Sequence, residues 1–257
     1  MMYAFSAREL LAVWEQSVGQ SSVAQAVALL ALASPGGARE TLAKLSIGRR
    51  DARLLSLREW LFGTQLVSVA ECPQCAQRLE LTFQVADVRA GHEDSQPETL
   101  IVEADGYVAT CRLPNSEDLA VLHTNVEQWG EAIAASQMLL SRCLLHLRHK
   151  NCEQSLVLDE PLAKISPALA AAIAEKMEQA DPQANAELDI TCTECGHHWL
   201  ATFDVVSYVW SEIDNWARRV LQEVHTLASA YGWSESDILA LSAQRRQFYL
   251  EMIGTRM

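Results

Sequence analysis

CPQC at residues 72–75 and CTEC at residues 192–195 decide how this chain is read. In each, two cysteines three positions apart on a tight turn can aim both thiolates at one metal ion. Two such turns supply the four sulfurs of a closed tetrahedral structural site. The flanking sequence repeats too: Val67-Ser68-Val69-Ala70 leads into the first pair and Arg78-Leu79-Glu80-Leu81-Thr82-Phe83 leaves it, as Leu188-Asp189-Ile190-Thr191 and Trp199-Leu200-Ala201-Thr202-Phe203 do for the second. Alternation on both sides predicts a β-hairpin with a CxxC at its tip, twice over. The pattern is that of a zinc ribbon in two halves, with Cys72, Cys75, Cys192 and Cys195 as the ligands of one structural Zn2+.

The halves are separated by 116 residues, against roughly 15 to 20 in a compact ribbon, so a helical insertion is expected inside it. The residues alone leave open two unrelated pairs, or thiols that bind no metal. A redox CxxC fits poorly, because it belongs near a βαβ pattern and opens a helix, whereas strand-like alternation follows here. His197 and His198 could replace a thiolate or be exposed hairpin residues.

A chain of 257 residues that is 49% apolar is long enough to bury a core, as one large domain or two small ones, and is not disordered. Seven cysteines, four of them in pairs, point to a reducing compartment and metal rather than a disulfide framework. Cys111, Cys143 and Cys152 are left as buried free thiols. The start MMYAFSARELLAVWEQ lacks a basic segment followed by an apolar run, and the most apolar stretch, Val23 to Ala33, contains Gln25 and stops at Ser34-Pro35-Gly36-Gly37. A soluble, cytoplasmic protein without a membrane partner is expected. The net charge is −13, and residues 1–70, with seven Lys/Arg and five Asp/Glu, hold +2 of it, leaving −15 for the rest. Such a surface repels a phosphate backbone and counts against a nucleic-acid partner.

Along the chain, residues 1–63 read as an N-terminal helical region. Ser6-Ala7-Arg8-Glu9 is a capping box, an Ala-rich helix runs from Ser22 to Ala33, and Asp51 in Gly48-Arg49-Arg50-Asp51 is the expected N-cap of a helix closed by Gly63. Arg49, Arg50, Arg53 and Arg58 give that helix a basic side. Residues 64–115 hold the first CxxC hairpin, an acidic loop over 84–98, and a second hairpin about Asp105-Gly106. Residues 116–185 are the helical insertion: Ser116 is the expected cap of one helix, a longer one spans about Glu127 to His146, and Ser166-Pro167 starts a third. Residues 186–206 hold the second CxxC hairpin. Residues 207–257 form a C-terminal helical region with a helix of about twenty residues ending near Tyr231-Gly232 and two short helices after it. The fold class is α+β and mainly α-helical. Trp210, Trp216, Trp233, Phe248 and Tyr249 read as core aromatics, or as an exposed face for another protein.

No chain motif supplies an active site. Four thiolates close a zinc shell and leave no position for a reacting water. The patterns HExxH, GxxxxGK[ST], GxGxxG and GxSxG are missing. His225 with Glu223, and His123 with Asp118, are neighbours of the kind helical surfaces produce. A non-enzymatic protein is expected.

Five blocks together resemble proteins of contractile phage tails and tail-like injection particles. They are GRRDARLLSLREWLFG from Gly48, CPQCAQRLEL from Cys72, YVATCRLPNSEDLA from Tyr107, CTECGHHWLATFDVVSYVW from Cys192 and HTLASAYGWSESDILALSAQRRQFYLEMI from His225, and they span about four fifths of the chain. The last block, with its YGW turn, is similar to the C-terminal part of baseplate hub and hub-assembly proteins. The resemblance implies a baseplate component or an assembly chaperone, with other baseplate or tail proteins as partners and incorporation into the particle as one fate. It singles out Trp233, Arg245, Arg246 and Tyr249 as contact or core positions. The rival reading is a zinc-ribbon regulator that binds nucleic acid or the transcription machinery.

Overall fold

Among the described residues of the computed structural model, six helices start on a serine whose hydroxyl accepts the backbone N–H three residues on: Ser6, Ser21, Ser46, Ser166, Ser234 and Ser242. Each cap satisfies an N–H that the first turn leaves without a partner. The structure describes residues 5–34, 36–90, 97, 99–124, 132–150, 155–156 and 165–254. In chain order the elements are α1 (Ala7–Ser17), α2 (Ser22–Ala33), α3 (Arg39–Ala43), α4 (Ile47–Phe62), β1 (Gln65–Glu71), β2 (Arg78–Gln84), α5 (Val85–Val88), β3 (Leu100–Ala104) and β4 (Tyr107–Cys111). Then come α6 (Ser116–Thr124), α7 (Ala132–Cys143), β5 (Leu144–His149), β6 (Ser155–Leu156), α8 (Pro167–Ala180), a 3-10 turn (Pro182–Asn185), β7 (Glu187–Thr191), β8 (His198–Thr202), α9 (Val205–Tyr231), α10 (Glu235–Ala240) and α11 (Ala243–Gly254). The architecture is mixed α/β and mostly helical, with small sheets.

The chain divides into two compact units, residues 1–38 with 206–257, and residues 39–205. The first unit is helical. Leu11 of α1, Ala217, Val220, Val224 and Leu227 of α9, and Ile238 and Leu239 of α10 form its buried core, with Trp14, Trp216, Tyr231, Trp233 and Tyr249 packed around it. Two polar ties cross this core: Trp14 Nε1 donates to Asp214 Oδ1 at 2.9 Å, and buried Arg246 donates to Glu223 at 2.9 Å and to the Leu241 carbonyl at 2.8 Å.

Among the described residues the second unit holds three antiparallel sheets, β1-β2, β3-β4-β5-β6 and β7-β8. The hairpin about Asp105-Gly106 pairs Leu100 with Cys111 through Ala104 with Tyr107. Its turn uses left-handed backbone at both Asp105 and Gly106, as an Asp-Gly hairpin turn requires. Helix α8 covers this sheet, and Leu169 and Ile173 pack on Val102, Ala109, Cys111, Leu144 and Leu147. Asp118 of α6, fully buried, ties the sheet end together: it accepts from Arg112 at 2.6 and 2.8 Å, from Arg142 at 2.9 Å and from the Asn115 N–H at 3.1 Å.

Several local expectations change. Residues Leu144–His149 form strand β5 rather than the end of a long helix, and residues 127–131 of that expected helix lie outside the described residues. Here β4 has an open edge that β5 fills, and Leu144 and Leu147 complete the sheet core, so tertiary pairing overrides helix propensity. Helix α4 is capped by Ser46, not Asp51, which sits inside the helix with Arg50 Nε at 2.7 Å. Gly48 is a helical glycine of close approach, since a Cβ there would stand 1.8 Å from Asp181 Oδ1. Arg50 and Arg58 are buried and Arg49 and Arg53 are half-buried, so the expected basic side is largely taken up in packing. Asn115 rather than Ser116 caps α6, in a reciprocal pair with Asp118, and the buried Ser116 hydroxyl has no hydrogen-bond partner among the described residues. Helix α9 runs for 27 residues, longer than its expected length. Within the expected loop over 84–98, Val85–Val88 makes one helical turn, and residues 91–96 and 98 lie outside the described residues.

Candidate metal centre

The two CxxC turns share one backbone design. In the first, the Cys72 N–H donates to the Gln77 carbonyl at 2.9 Å and the Ala76 N–H to the Cys72 carbonyl at 2.9 Å; in the second, Cys192 to His197 at 2.8 Å and Gly196 to Cys192 at 2.9 Å. The fifth residue of each turn is left-handed, Ala76 at φ 57° and Gly196 at φ 72°. Such a turn leaves backbone N–H groups pointing at the sulfurs and brings the two thiols of a pair to one side.

The strands then join the turns. Leu79, Leu81 and Ala70 of the first hairpin pack with Ile190, Leu188, Trp199 and Ala201 of the second, directly beneath buried Cys72 and Cys192. Phe83 meets Phe203 edge to face with ring centroids 5.5 Å apart, which fixes the far ends of the hairpins. Each strand turns its other face outward, including Val67, Val69 and Leu200.

All four cysteine sulfurs lie within 4.8 Å of one another, and among the described residues this is the group of His, Cys, Asp or Glu side chains able to hold a metal ion. Cys72 Sγ is 3.7 Å from Cys195 Sγ, and Cys75 Sγ is 3.7 Å from Cys192 Sγ, so both of these contacts cross between hairpins. Cys72 and Cys192 are buried at 1% exposure each, while Cys75 and Cys195 are exposed. Backbone N–H groups of Cys195 and Glu194 lower the Cys192 thiol to about 7. The Gln77 N–H acts the same way on Cys75, but its sulfur neighbours, Cys195 first, and desolvation outweigh it and push Cys75 up to about 12. Four sulfurs this close cannot all carry charge unless a cation compensates them, and a bound divalent ion does that.

His197 and His198 stand apart from the sulfurs' cluster. His197 stacks on Trp199 with centroids 5.8 Å apart, and His198 pairs with Asp189 on the outer face of the second hairpin. Cys111 is buried in the core of the four-stranded sheet and Cys143 is buried at the end of α7, and desolvation raises their thiols to about 11 and about 12. Cys152 lies outside the described residues.

In the C-terminal part, Arg246 is a buried ion-pair residue, and Trp233, Tyr231 and Tyr249 stack around one another at 4.7 to 5.8 Å. Arg245 is exposed and lies 5.9 Å over the Tyr249 ring, while Phe248 and Met252 of α11 are large apolar side chains left in solvent. The sequence grouped Arg245 with Arg246, but helical geometry turns adjacent residues about 100° apart and sends only one of them inward. Glu223, read beside His225, is taken by Arg246, and Asp118, read beside His123, is taken by two arginines.

Among the described residues, no helix is long and apolar enough to cross a membrane. No curated protein and no solved structure matches the chain. Residues 8–209 match the model of one protein family, described as T4 bacteriophage base plate protein.

Proposed function

The chain belongs to the T4 bacteriophage base plate protein family, and from that premise we propose that it is a non-enzymatic structural or assembly protein of a contractile tail-like particle, folded around one zinc ion. The family match over residues 8–209 carries this reading. As a baseplate component or an assembly chaperone it would bind other baseplate or tail proteins, be made in the cytoplasm and, as a component, end in the particle.

Zinc is supported by arithmetic. Four sulfurs held about 2.3 Å from one ion at the corners of a tetrahedron lie about 3.8 Å apart, close to the 3.7 Å of both cross-hairpin pairs. Cys72, Cys75, Cys192 and Cys195 would hold it, closing a split zinc ribbon whose insertion carries α6, α7 and α8. Bound there, zinc supplies a cross-link between two short hairpins and compensates four thiolates. A shell of four sulfurs has no open position, which suits a staple rather than a reaction centre.

Charge speaks against the rival regulator. The helical unit has six Lys/Arg and eight Asp/Glu, −2, so the unit that contains the hairpins carries −11 of the total −13. A ribbon on so acidic a body repels nucleic acid. The test is a pull-down of the tagged protein from phage-producing cells, with mass spectrometry of its companions and metal analysis of the purified chain. Other baseplate or tail proteins together with about one zinc per chain are expected. RNA polymerase or nucleic acid in their place would overturn the assignment, and a metal-free chain that melts unchanged in chelator would remove the zinc.

A further inference from the structure

Each of the 3.7 Å sulfur contacts joins one exposed thiol to one buried thiol: Cys195 with Cys72, and Cys75 with Cys192. That is the layout of an oxidisable pair, an accessible sulfur for the oxidant and a second sulfur at hand to resolve the product. We propose that the four-cysteine cluster is a peroxide modification site with a second closed state, in which two disulfides, Cys72–Cys195 and Cys75–Cys192, hold the hairpins together in place of metal.

The chemistry balances without any further reactant. The thiolate of Cys75 or Cys195 attacks one oxygen of hydrogen peroxide; an S–O bond forms, the O–O bond breaks and hydroxide leaves. The buried partner's thiolate then attacks that sulfur; the S–S bond forms, the S–O bond breaks and a second hydroxide leaves. Two peroxides oxidise four thiolates to two disulfides, four protons from solvent turn the hydroxides into four waters, and the ion departs as a divalent cation. Each sulfur pair closes from 3.7 Å to about 2.05 Å. Because both bonds cross between hairpins, oxidation keeps the connection across the 116-residue insertion that reduction and metal loss would release. Release of the ion rests on the zinc reading above; formation of the disulfides does not.

The experiment treats the purified full-length chain with hydrogen peroxide, blocks remaining thiols with N-ethylmaleimide and maps peptides without reduction. The expected result is the Cys72–Cys195 and Cys75–Cys192 linked peptides, an intact mass before blocking that is lower by about 4 Da for four lost hydrogens, reversal by dithiothreitol, and one zinc ion per chain released to a chromogenic chelator. Disulfides Cys72–Cys75 and Cys192–Cys195, sulfinic acids without links, or unmodified cysteines would each overturn it. In Cys72→Ser, peroxide should leave a dimedone-trappable sulfenic acid at Cys195 while Cys75–Cys192 still forms; if that variant does not fold, the map of the unaltered chain decides. Cross-hairpin links formed by a fully reduced chain that takes up no added zinc would sink the zinc reading and leave this one standing; a zinc-loaded chain that forms no links would do the reverse.

Discussion

Ala76 and Gly196 occupy the same place in the two CxxC turns, at φ 57° and 72°, and only one of them is suited to it. A side chain in the left-handed region costs about 1 kcal/mol or more, part of which glycine gives back through the freedom of its unfolded chain. Ala76→Gly is therefore expected to raise stability by about 0.5 kcal/mol and Gly196→Ala to lower it by about 1 kcal/mol, read from urea midpoints of the metal-loaded protein. Equal shifts of the same sign would refute the equivalence of the turns. Gly48 poses a different constraint. Its N–H donates to Asp181 Oδ2 at 2.9 Å, and a Cβ would meet Asp181 Oδ1 at 1.8 Å and the Ala184 backbone nitrogen at 2.9 Å. The carboxylate can swing aside only by abandoning that N–H, so Gly48→Ala is expected to destabilise by about 2 to 3 kcal/mol, despite the better helix propensity of alanine. A gain in stability would mean the helix end is not seated on that carboxylate. The sequence showed Gly48 plainly but not its reason, because the partner is 133 residues away.

Among elements, α6 is held to the end of the four-stranded sheet by Asp118. Burial alone would raise its carboxyl, but the hydrogen bonds from Arg112 and the Asn115 N–H, with Arg142 beside them, hold it below the usual carboxylate range. A depressed carboxylate contributes stability above its unfolded value of about 3.9, and that contribution is lost as pH falls through the folded value. Wild-type protein should thus lose stability steeply below about pH 4, whereas Asp118→Asn should be weaker by about 2 to 3 kcal/mol at pH 7 and flatter in acid, the two curves converging. The figure is set at the low end because Arg112 and Arg142 are 28% and 32% exposed and partly solvated. Denaturation midpoints from pH 7 to 2.5 test this, and parallel curves would show that Asp118 is not the titrating group. The same elements show where sequence reading stops. The Asp105-Gly106 hairpin was legible because its turn is local. Strand β5 was not, because the edge it completes belongs to β4, more than thirty residues earlier.

For the whole molecule, the four thiols all lie in the unit of residues 39–205, while residues 1–38 and 206–257 form the other. Stripping metal with chelator should lower the melting transition of the first by about 10 °C, the shift that a loss of several kcal/mol gives in a unit of this size, and leave the helical unit's transition in place. Calorimetry with and without chelator reads both, and transitions that move together would contradict this independence. The sequence by itself determined the two CxxC hairpins and the helix caps at Ser6 and Ser166, because strand alternation, turn chemistry and caps act within a few residues. It also brought the four cysteines into one hypothesis, because two matching CxxC turns need a common ligand more than either needs a neighbour. Only the tertiary structure decided that α1 makes one core with α9 and α10, that half of the α4 arginines point inward, and that each exposed thiol stands beside a buried one from the opposite hairpin. These depend on contacts between residues far apart in the chain, where packing and desolvation, not local propensity, choose the partner.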